Sequence, residues 1–249
     1  MQQVGPDKVI RTARKFGIKS PLGRHLSLAL GTSGISPLEI ASAYSVIANL
    51  GIYNEPYLIQ QIEDFQGNRL YEHFYQGVQQ YGPDTLYPLL DMMRGVVERG
   101  TGKIVRRMGF QHPAAGKTGT TNGFKDAWFN GFTKDISTSV WVGFDNNDSM
   151  KTRSGKGLTG ASAAAPIWVH FMQKALEGKT KVKFPVPGNI KIATVDVKTG
   201  KLPDEFSLEK IEIAVKEDVD LSPLPIEDPI SELDARENLE VEKFKTFSN

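Results

Sequence analysis

The chain has 249 residues, 39% of them hydrophobic and 24% charged, with a formal net charge of +1; that balance excludes a highly charged disordered chain and allows a sizeable core. It has no cysteine, which excludes a disulfide framework and a thiolate metal site. No apolar run approaches the roughly 20 residues of a membrane span, and the N-terminal Met1-Gln-Gln-Val-Gly-Pro-Asp-Lys8 lacks the apolar centre of a signal peptide.

In chain order, Pro6 to Phe16 reads as a helix. Val9, Ile10, Ala13 and Phe16 share one face, Pro6 suits the first turn and Gly17 the C-terminal cap. Ser36-Pro-Leu-Glu39 is a capping box with proline at the first helical position, and it opens a helix carrying Ile40, Ala43, Tyr44 and Ile47 that closes at Gly51. Pro56 to Phe65 alternates enough for a strand, with Gln66-Gly-Asn68 turning into Arg69-Leu-Tyr71. Asp84 is expected to cap a helix through Leu86, Leu89, Leu90, Met93, Val96 and Val97 that ends at Gly100.

Residues 114–121, 127–133 and 137–145 then read as three short strands, the last two paired antiparallel across Thr133-Lys-Asp-Ile136. Ala161 to Leu176 is an Ala-rich amphipathic helix ending at Gly178, and Ile190 to Val197 with Lys198-Thr-Gly200 reads as a late hairpin. The fold class expected is α+β, an antiparallel sheet with helices packed on it.

Charge is unevenly spread. Residues 204–249 hold 14 acids and 5 bases, and the rest 15 acids and 25 bases. The expected division is a domain over 1–203 and an acidic, Pro-containing, flexible tail over 204–249. The bases of the body are scattered, so no nucleic-acid partner is expected. The four histidines are dispersed without metal-ligand spacing, and His112 is read as a loop residue. No metal and no cofactor are expected. Trp128, Trp141 and Trp168 are read as core aromatics.

The stretch Ala114-Ala-Gly-Lys-Thr-Gly-Thr-Thr121 carries the functional question. A phosphate loop needs Gly-x-x-x-x-Gly-Lys-[Ser/Thr] followed by a helix. Here Gln111 stands where the first glycine should be, Pro113 removes an amide, and Gly119-Thr-Thr-Asn-Gly123 is poor helix sequence. Gly100-Thr-Gly-Lys103 is followed by Ile104, not Ser or Thr. As an edge strand the stretch makes chemical sense. Gly119 admits a close backbone approach, Lys117 and the hydroxyls of Thr118 and Thr120 suit a carboxylate, and the Thr120 amide suits a developing oxyanion. A second Lys-Thr-Gly, Lys198-Thr-Gly200, sits in a turn and is read as structural.

The context resembles the C-terminal half of the transpeptidase domain of bifunctional, class A penicillin-binding proteins. The blocks that carry the resemblance are Gly31 to Tyr44 (GTSGISPLEIASAY), Ala115 to Thr121, Asp126-Ala-Trp-Phe-Asn-Gly-Phe132, Val140-Trp-Val-Gly-Phe-Asp145 and Ala164-Ala-Pro-Ile-Trp168. The resemblance implies a penicillin-binding transpeptidase or serine β-lactamase-like fold and serine acyl transfer that cross-links stem peptides ending in D-Ala-D-Ala, a reaction β-lactams block. It implies substrate-binding roles for Lys117, Thr118, Gly119 and Thr120, with the Thr120 amide in the oxyanion site. It also implies a complete protein at the extracytoplasmic face of the bacterial inner membrane, with no membrane span in this stretch.

The family's three motifs are Ser-x-x-Lys, Ser-x-Asn and Lys-Thr-Gly; this sequence has the last but no Ser-x-Asn, and its one Ser-x-x-Lys is Ser207-Leu-Glu-Lys210, downstream in the acidic stretch. The chain is therefore expected to be a fragment, inactive alone, with nucleophile, anchor and glycosyltransferase domain in the missing part. The alternative is a non-catalytic cell-wall-binding or scaffold protein that keeps half the fold.

Overall fold

The structure, a computed structural model, describes residues 1–222; the remainder of the expected acidic tail lies outside the described residues. Among the described residues two compact units are present: Met1–Lys191 with Ala214–Glu217, and Ile192–Ile213 with residues 218–222.

Helix α1 spans Pro6–Lys15. It ends at Gly17, whose φ of 88° is left-handed and whose missing side chain leaves room for the Tyr53 ring. A 3₁₀ turn at Leu26–Leu30 has no period that marks it in the sequence. Helix α2, Pro37–Ala48, has the full capping box: Ser36 accepts from the Glu39 amide and Glu39 reaches back to the Ser36 amide. Its chain reverses through Leu50 (φ 50°) and Gly51 (φ 102°).

The next segment departs from expectation. Strand β1 is Ile52–Tyr53 and pairs with β4, Val78–Gln79; β2 is Gln61–Glu63 and pairs with β3, Arg69–Glu72. The strand expected from Pro56 begins only at Gln61. Pro56 has no N–H to give a ladder, and Leu58 and Ile59 are exposed with no strand paired to them among the described residues. The turn itself is well made, with Asp64 accepting from the amides of Gln66 and Asn68.

Helix α3 spans Pro83–Glu98. Gly82, not Asp84, is its N-cap, because Pro83 already takes the first helical position. Asp84 lies in the first turn and pairs with Lys216 at 2.9 Å. A one-turn helix α4, Ile104–Arg107, follows.

The central sheet has the order β5-β6-β7, with β5 Ala115–Thr120, β6 Asp126–Phe132 and β7 Ser137–Gly143, all antiparallel. On one face, Phe129 packs with Val97, Val105, Phe110 and Trp168 of the surrounding helices and loop. Trp168 is fully buried, edge-on to Phe110 and Phe129 at 5.2 Å each, and its indole N–H donates to Gly131 O. On the other face, Ala115 and Phe132 meet Ile47, Leu86, Tyr87 and Leu90 from α2 and α3. Helix α5, Ala165–Ala175, is preceded by a π-helical turn at Gly160–Ala164 rather than starting as α-helix. Of the three tryptophans only Trp168 is core; Trp128 is half-buried and Trp141 is 36% exposed.

The late hairpin has a longer connection than expected. Strand β8, Ile190–Asp196, pairs with β9, Lys210–Lys216. A strand thus occupies part of the stretch that composition marks as tail. In β9, Ile211, Ile213 and Val215 alternate with charged or small residues, and the surrounding acids hide that period. Lys198-Thr-Gly200 forms the turn expected: Asp196 accepts from the amides of Lys198 and Thr199, and Gly200 has φ 67°.

Candidate active site

Strand β5 carries Lys117, Thr118, Gly119 and Thr120 and ends the sheet, with β6 on one side only. Its register is Lys117 opposite Asn130, Thr118 opposite Phe129, Gly119 opposite Trp128 and Thr120 opposite Ala127. Directly opposed residues share a face, so Lys117, Gly119, Asn130, Trp128 and Trp141 lie on one face and Thr118 and Thr120 on the other.

Backbone direction follows from one hydrogen bond. The amide of Thr121 donates to Asp126 O at 3.1 Å. Successive backbone groups of a strand point alternately to either side, so the Thr120 and Thr118 amides point away from β6, off the free edge. The strand therefore presents two N–H donors flanking Gly119.

Lys117 is exposed, and its Nζ donates to the carbonyl oxygen of Thr118 at 2.8 Å. Among the described residues no carboxylate pairs with it. The hydroxyl of Thr118 lies 2.7 Å from that of Thr101. The hydroxyl of Thr120 accepts from the Gly160 amide at 3.0 Å, which leaves its own proton free to donate. A Cβ on Gly119 would sit 3.1 Å from the Cβ of Trp128, so the glycine keeps the strand flat against the indole as well as open to solvent. Beside it, Trp141 donates to Asp126 at 2.8 Å and Ser139 to Asn130 at 2.5 Å. Loss of solvation at the half-buried Tyr44 on α2 pushes its phenol pKa up to about 12, against a hydrogen bond from Asn130.

The structure brings the four expected residues together on one accessible edge. Sequence reasoning missed two that support them, Thr101 and Gly160. Thr101 follows α3 in Gly100-Thr-Gly-Lys103, a stretch weighed only as a phosphate loop. Gly160 had no local signal: a Cβ there would lie 2.2 Å from Trp128 O and 2.6 Å from Gly119 O, a close approach visible only after folding. Ser207 sits in a turn where its hydroxyl donates to the Asp204 carboxylate at 3.0 Å. His112 is half-buried beside Phe110, its carbonyl held by Arg106. Among the described residues no helix is long and apolar enough to cross a membrane.

Comparison with known proteins gives this geometry a family. Residues 2–173 match the penicillin binding protein transpeptidase domain. The chain is 36% identical over 206 residues to penicillin-binding protein 1A of Aquifex aeolicus, covering 82% of this chain and 27% of that protein. It is 38% identical over 197 residues to penicillin-binding protein 1A of Neisseria lactamica, covering 76% and 24%. It thus spans about a quarter of the length of these relatives. Among solved structures, penicillin-binding protein 1A of Haemophilus influenzae superposes with a TM-score of 0.77 at 26% identity, covering 90% of this chain and 38% of that one. PonA1 of Mycobacterium tuberculosis, in complex with penicillin V, gives 0.63 at 28% identity, covering 73% and 53%. With these folds and that matched span, the chain belongs to the penicillin-binding protein transpeptidase domain family.

Proposed function

We propose that this chain is the Lys-Thr-Gly part of a peptidoglycan D,D-transpeptidase, the side of the site that holds a stem peptide ending in D-Ala-D-Ala. The observation that carries the reading is the Thr120 amide directed off the free edge of β5, one residue beyond the Gly119 gap and two beyond the Thr118 hydroxyl. Lys117 and Thr118 attract the terminal carboxylate, Gly119 lets the peptide backbone approach, and the Thr120 amide stabilises the oxyanion formed on the attacked carbonyl. One such donor is worth roughly 10²–10³ in rate.

The reaction also needs a nucleophile held about 3 Å from that carbonyl. The only Ser-x-x-Lys serine, Ser207, is tied to Asp204, so we assign the nucleophile to a part of the protein not in this chain and propose that the chain alone transfers no acyl group. The complete protein would work on the outer face of the bacterial inner membrane, and its complete domain would take β-lactams in the substrate's place; the similar PonA1 was solved in complex with penicillin V.

The test uses a fluorescent penicillin. The isolated chain stays unlabelled by intact mass, because loss of a serine nucleophile costs on the order of 10⁶ in rate even in an otherwise whole hydrolase site. In a domain completed with the family's Ser-x-x-Lys and Ser-x-Asn, labelling occurs and Lys117→Ala abolishes it. A covalent adduct on the isolated chain would overturn the first statement, and undiminished labelling of the Lys117→Ala domain the second. A scaffold protein, by contrast, would bind cell-wall polymer with Lys117 dispensable.

A further inference from the structure

Asn-Gly occurs twice in this chain, at Asn122-Gly123 and at Asn130-Gly131, and the fold surrounds the two pairs in opposite ways. An asparagine followed by glycine can lose its side-chain amide without an enzyme. The backbone nitrogen of the glycine attacks the asparagine Cγ, and a five-membered succinimide closes. The reaction needs a bare amide nitrogen, a free side chain and a peptide unit between them that can rotate.

Asn122-Gly123 meets all three conditions. It is the middle of the turn from β5 to β6, closed by the Phe124 amide on Thr121 O at 3.0 Å. Both residues are exposed. Among the described residues the Asn122 side chain, the Asn122 C=O and the Gly123 N–H make no hydrogen bond. The peptide unit joining the pair can therefore turn without breaking a bond of the loop. Gly123 has φ 78°. Where its Cβ would stand only Lys125 comes near, with Cε at 4.0 Å. No bulk shields the nitrogen, and a cation beside it favours loss of its proton. The rest of the loop is held. The Ser149 hydroxyl donates to Gly123 O at 2.6 Å and the Met150 amide to Phe124 O at 2.8 Å. Thr121 Oγ1 accepts from the amides of Lys125 and Asp126 at 3.2 and 2.8 Å.

Asn130-Gly131 meets none of them. It lies within β6, with Asn130 half-buried and Gly131 buried. The Asn130 side chain accepts from Ser139 at 2.5 Å and bonds the Tyr44 phenol. Lys117 opposes Asn130 on one side and Thr138 opposes Gly131 on the other. Backbone groups alternate along a strand, and the Thr121 amide on Asp126 O fixes their phase. The Asn130 C=O therefore points to β5 and the Gly131 N–H to β7, so the unit between them is tied into both ladders.

We propose that Asn122 is a site of spontaneous deamidation in the folded protein, and that Asn130 is not. A bond forms between Gly123 N and Asn122 Cγ. The Cγ–Nδ2 bond breaks, and the proton of the attacking nitrogen leaves with the amide as ammonia. Water then opens the succinimide at one of its two carbonyls. One opening leaves aspartate; the other leaves isoaspartate, in which the main chain runs through Cγ and is longer by a methylene. Either product puts a carboxylate two residues past Thr120. The isoaspartyl product also lengthens the chain inside the turn that Thr121 and Phe124 close, and so loosens it. The inference stands whatever β5 holds.

The test ages the 249-residue chain at pH 8 and 37 °C beside a free synthetic peptide of residues 118–125. Trypsin cuts after Lys117, Lys125 and Lys134, so Asn122 and Asn130 fall in separate peptides. Mass spectrometry should find peptide 118–125 converted from amide to acid and eluting as an isoaspartyl and an aspartyl form. Its rate should lie within about tenfold of the free peptide's, as suits a unit that rotates at little cost. Peptide 126–134 should convert at least about tenfold more slowly than 118–125, because its unit reacts only when the sheet opens locally. Amide exchange at Phe124, Lys125 and Asp126 should quicken in the aged chain. In Asn122→Gln, whose longer side chain would have to close a six-membered ring, peptide 118–125 should stay unconverted and exchange unchanged. Peptide 118–125 of the folded chain left unconverted when the free peptide has converted, or equal conversion of the two pairs, overturns the proposal. Unchanged exchange in a chain shown to be converted overturns the loosening of the turn.

Discussion

The hydroxyls of Thr101 and Thr118 meet at 2.7 Å, joining the turn after α3 to the middle of the Lys-Thr-Gly strand. A neutral side-chain hydrogen bond of this kind contributes about 0.5–1.5 kcal/mol net. Thr101→Val and Thr118→Val are each expected to lower stability by about that amount in urea denaturation. The double variant should fall short of the sum of the two, with a coupling of about 1 kcal/mol. Strict additivity would mean that the two hydroxyls do not act together.

Gly160 is the second support. Gly160→Ala would drive a methyl group against the carbonyls of Trp128 and Gly119, backbone atoms that cannot rotate away. Overpacking of this kind costs about 1–3 kcal/mol, and the shift would pull the Gly160 amide from Thr120. Gly34→Ala is the control: nothing lies within 4 Å of its Cβ and its φ is not left-handed, so its stability should change by less than about 0.5 kcal/mol. Chemical denaturation of the two variants side by side checks the contrast.

Glu39 makes part of the stability depend on pH. Its carboxylate accepts from the Ser20 hydroxyl and from the amides of Lys19, Ser20 and Ser36. The Ser20 hydrogen bond is the largest of the effects that lower its pKa from 4.5 to about 2. A carboxyl depressed in the folded state adds stability that is fully present above its unfolded pKa and is lost as pH falls through the folded value. Stability should therefore decline between about pH 4.5 and 2. In Glu39→Gln this part of the slope should be absent, at a cost of about 1 kcal/mol at neutral pH. Thermal melts at pH 6, 4 and 2.5 decide it; equal slopes in both proteins would refute the assignment.

Trp168 and Trp141 should respond very differently to truncation. Trp168→Ala empties a fully buried site between Phe110 and Phe129 and is expected to cost about 3–5 kcal/mol. Trp141 is 36% exposed and rests its indole N–H on Asp126; Trp141→Ala should cost about 1 kcal/mol, within the range of a single hydrogen bond. Differential scanning calorimetry would rank them.

What could be read from the sequence was what local chemistry dictates. The Ser36–Glu39 capping box, the glycine stops at Gly17, Gly51 and Gly178, and the three strands around Lys-Thr-Gly rest on period and turn residues, and the structure has them all. What could not be read depends on partners far along the chain. Asp84 reads as a cap until Pro83 and Lys216 are seen together. Trp128 and Trp141 read as core until β7 is found with one face partly open. β9 reads as tail because acids surround its alternating Ile211, Ile213 and Val215. At the site, the four residues of β5 announced themselves by type and spacing. Thr101 and Gly160 touch them only through the fold.

Strand β9 also sets an order of events. The Ala214 amide donates to Asp91 Oδ2 at 2.9 Å across 123 residues of sequence, and Lys216 reaches Asp84 in the first turn of α3. During synthesis at about 5–20 residues per second, α3 would leave the ribosome roughly 6–25 s before these two partners exist. Through that interval Asp84 lacks Lys216 and Asp91 keeps only Arg94 of its own helix, at 2.9 Å, so α3 relies on its apolar stripe and that one ion pair. The final closure of this unit is thus timed by translation and set by the last described strand to be made.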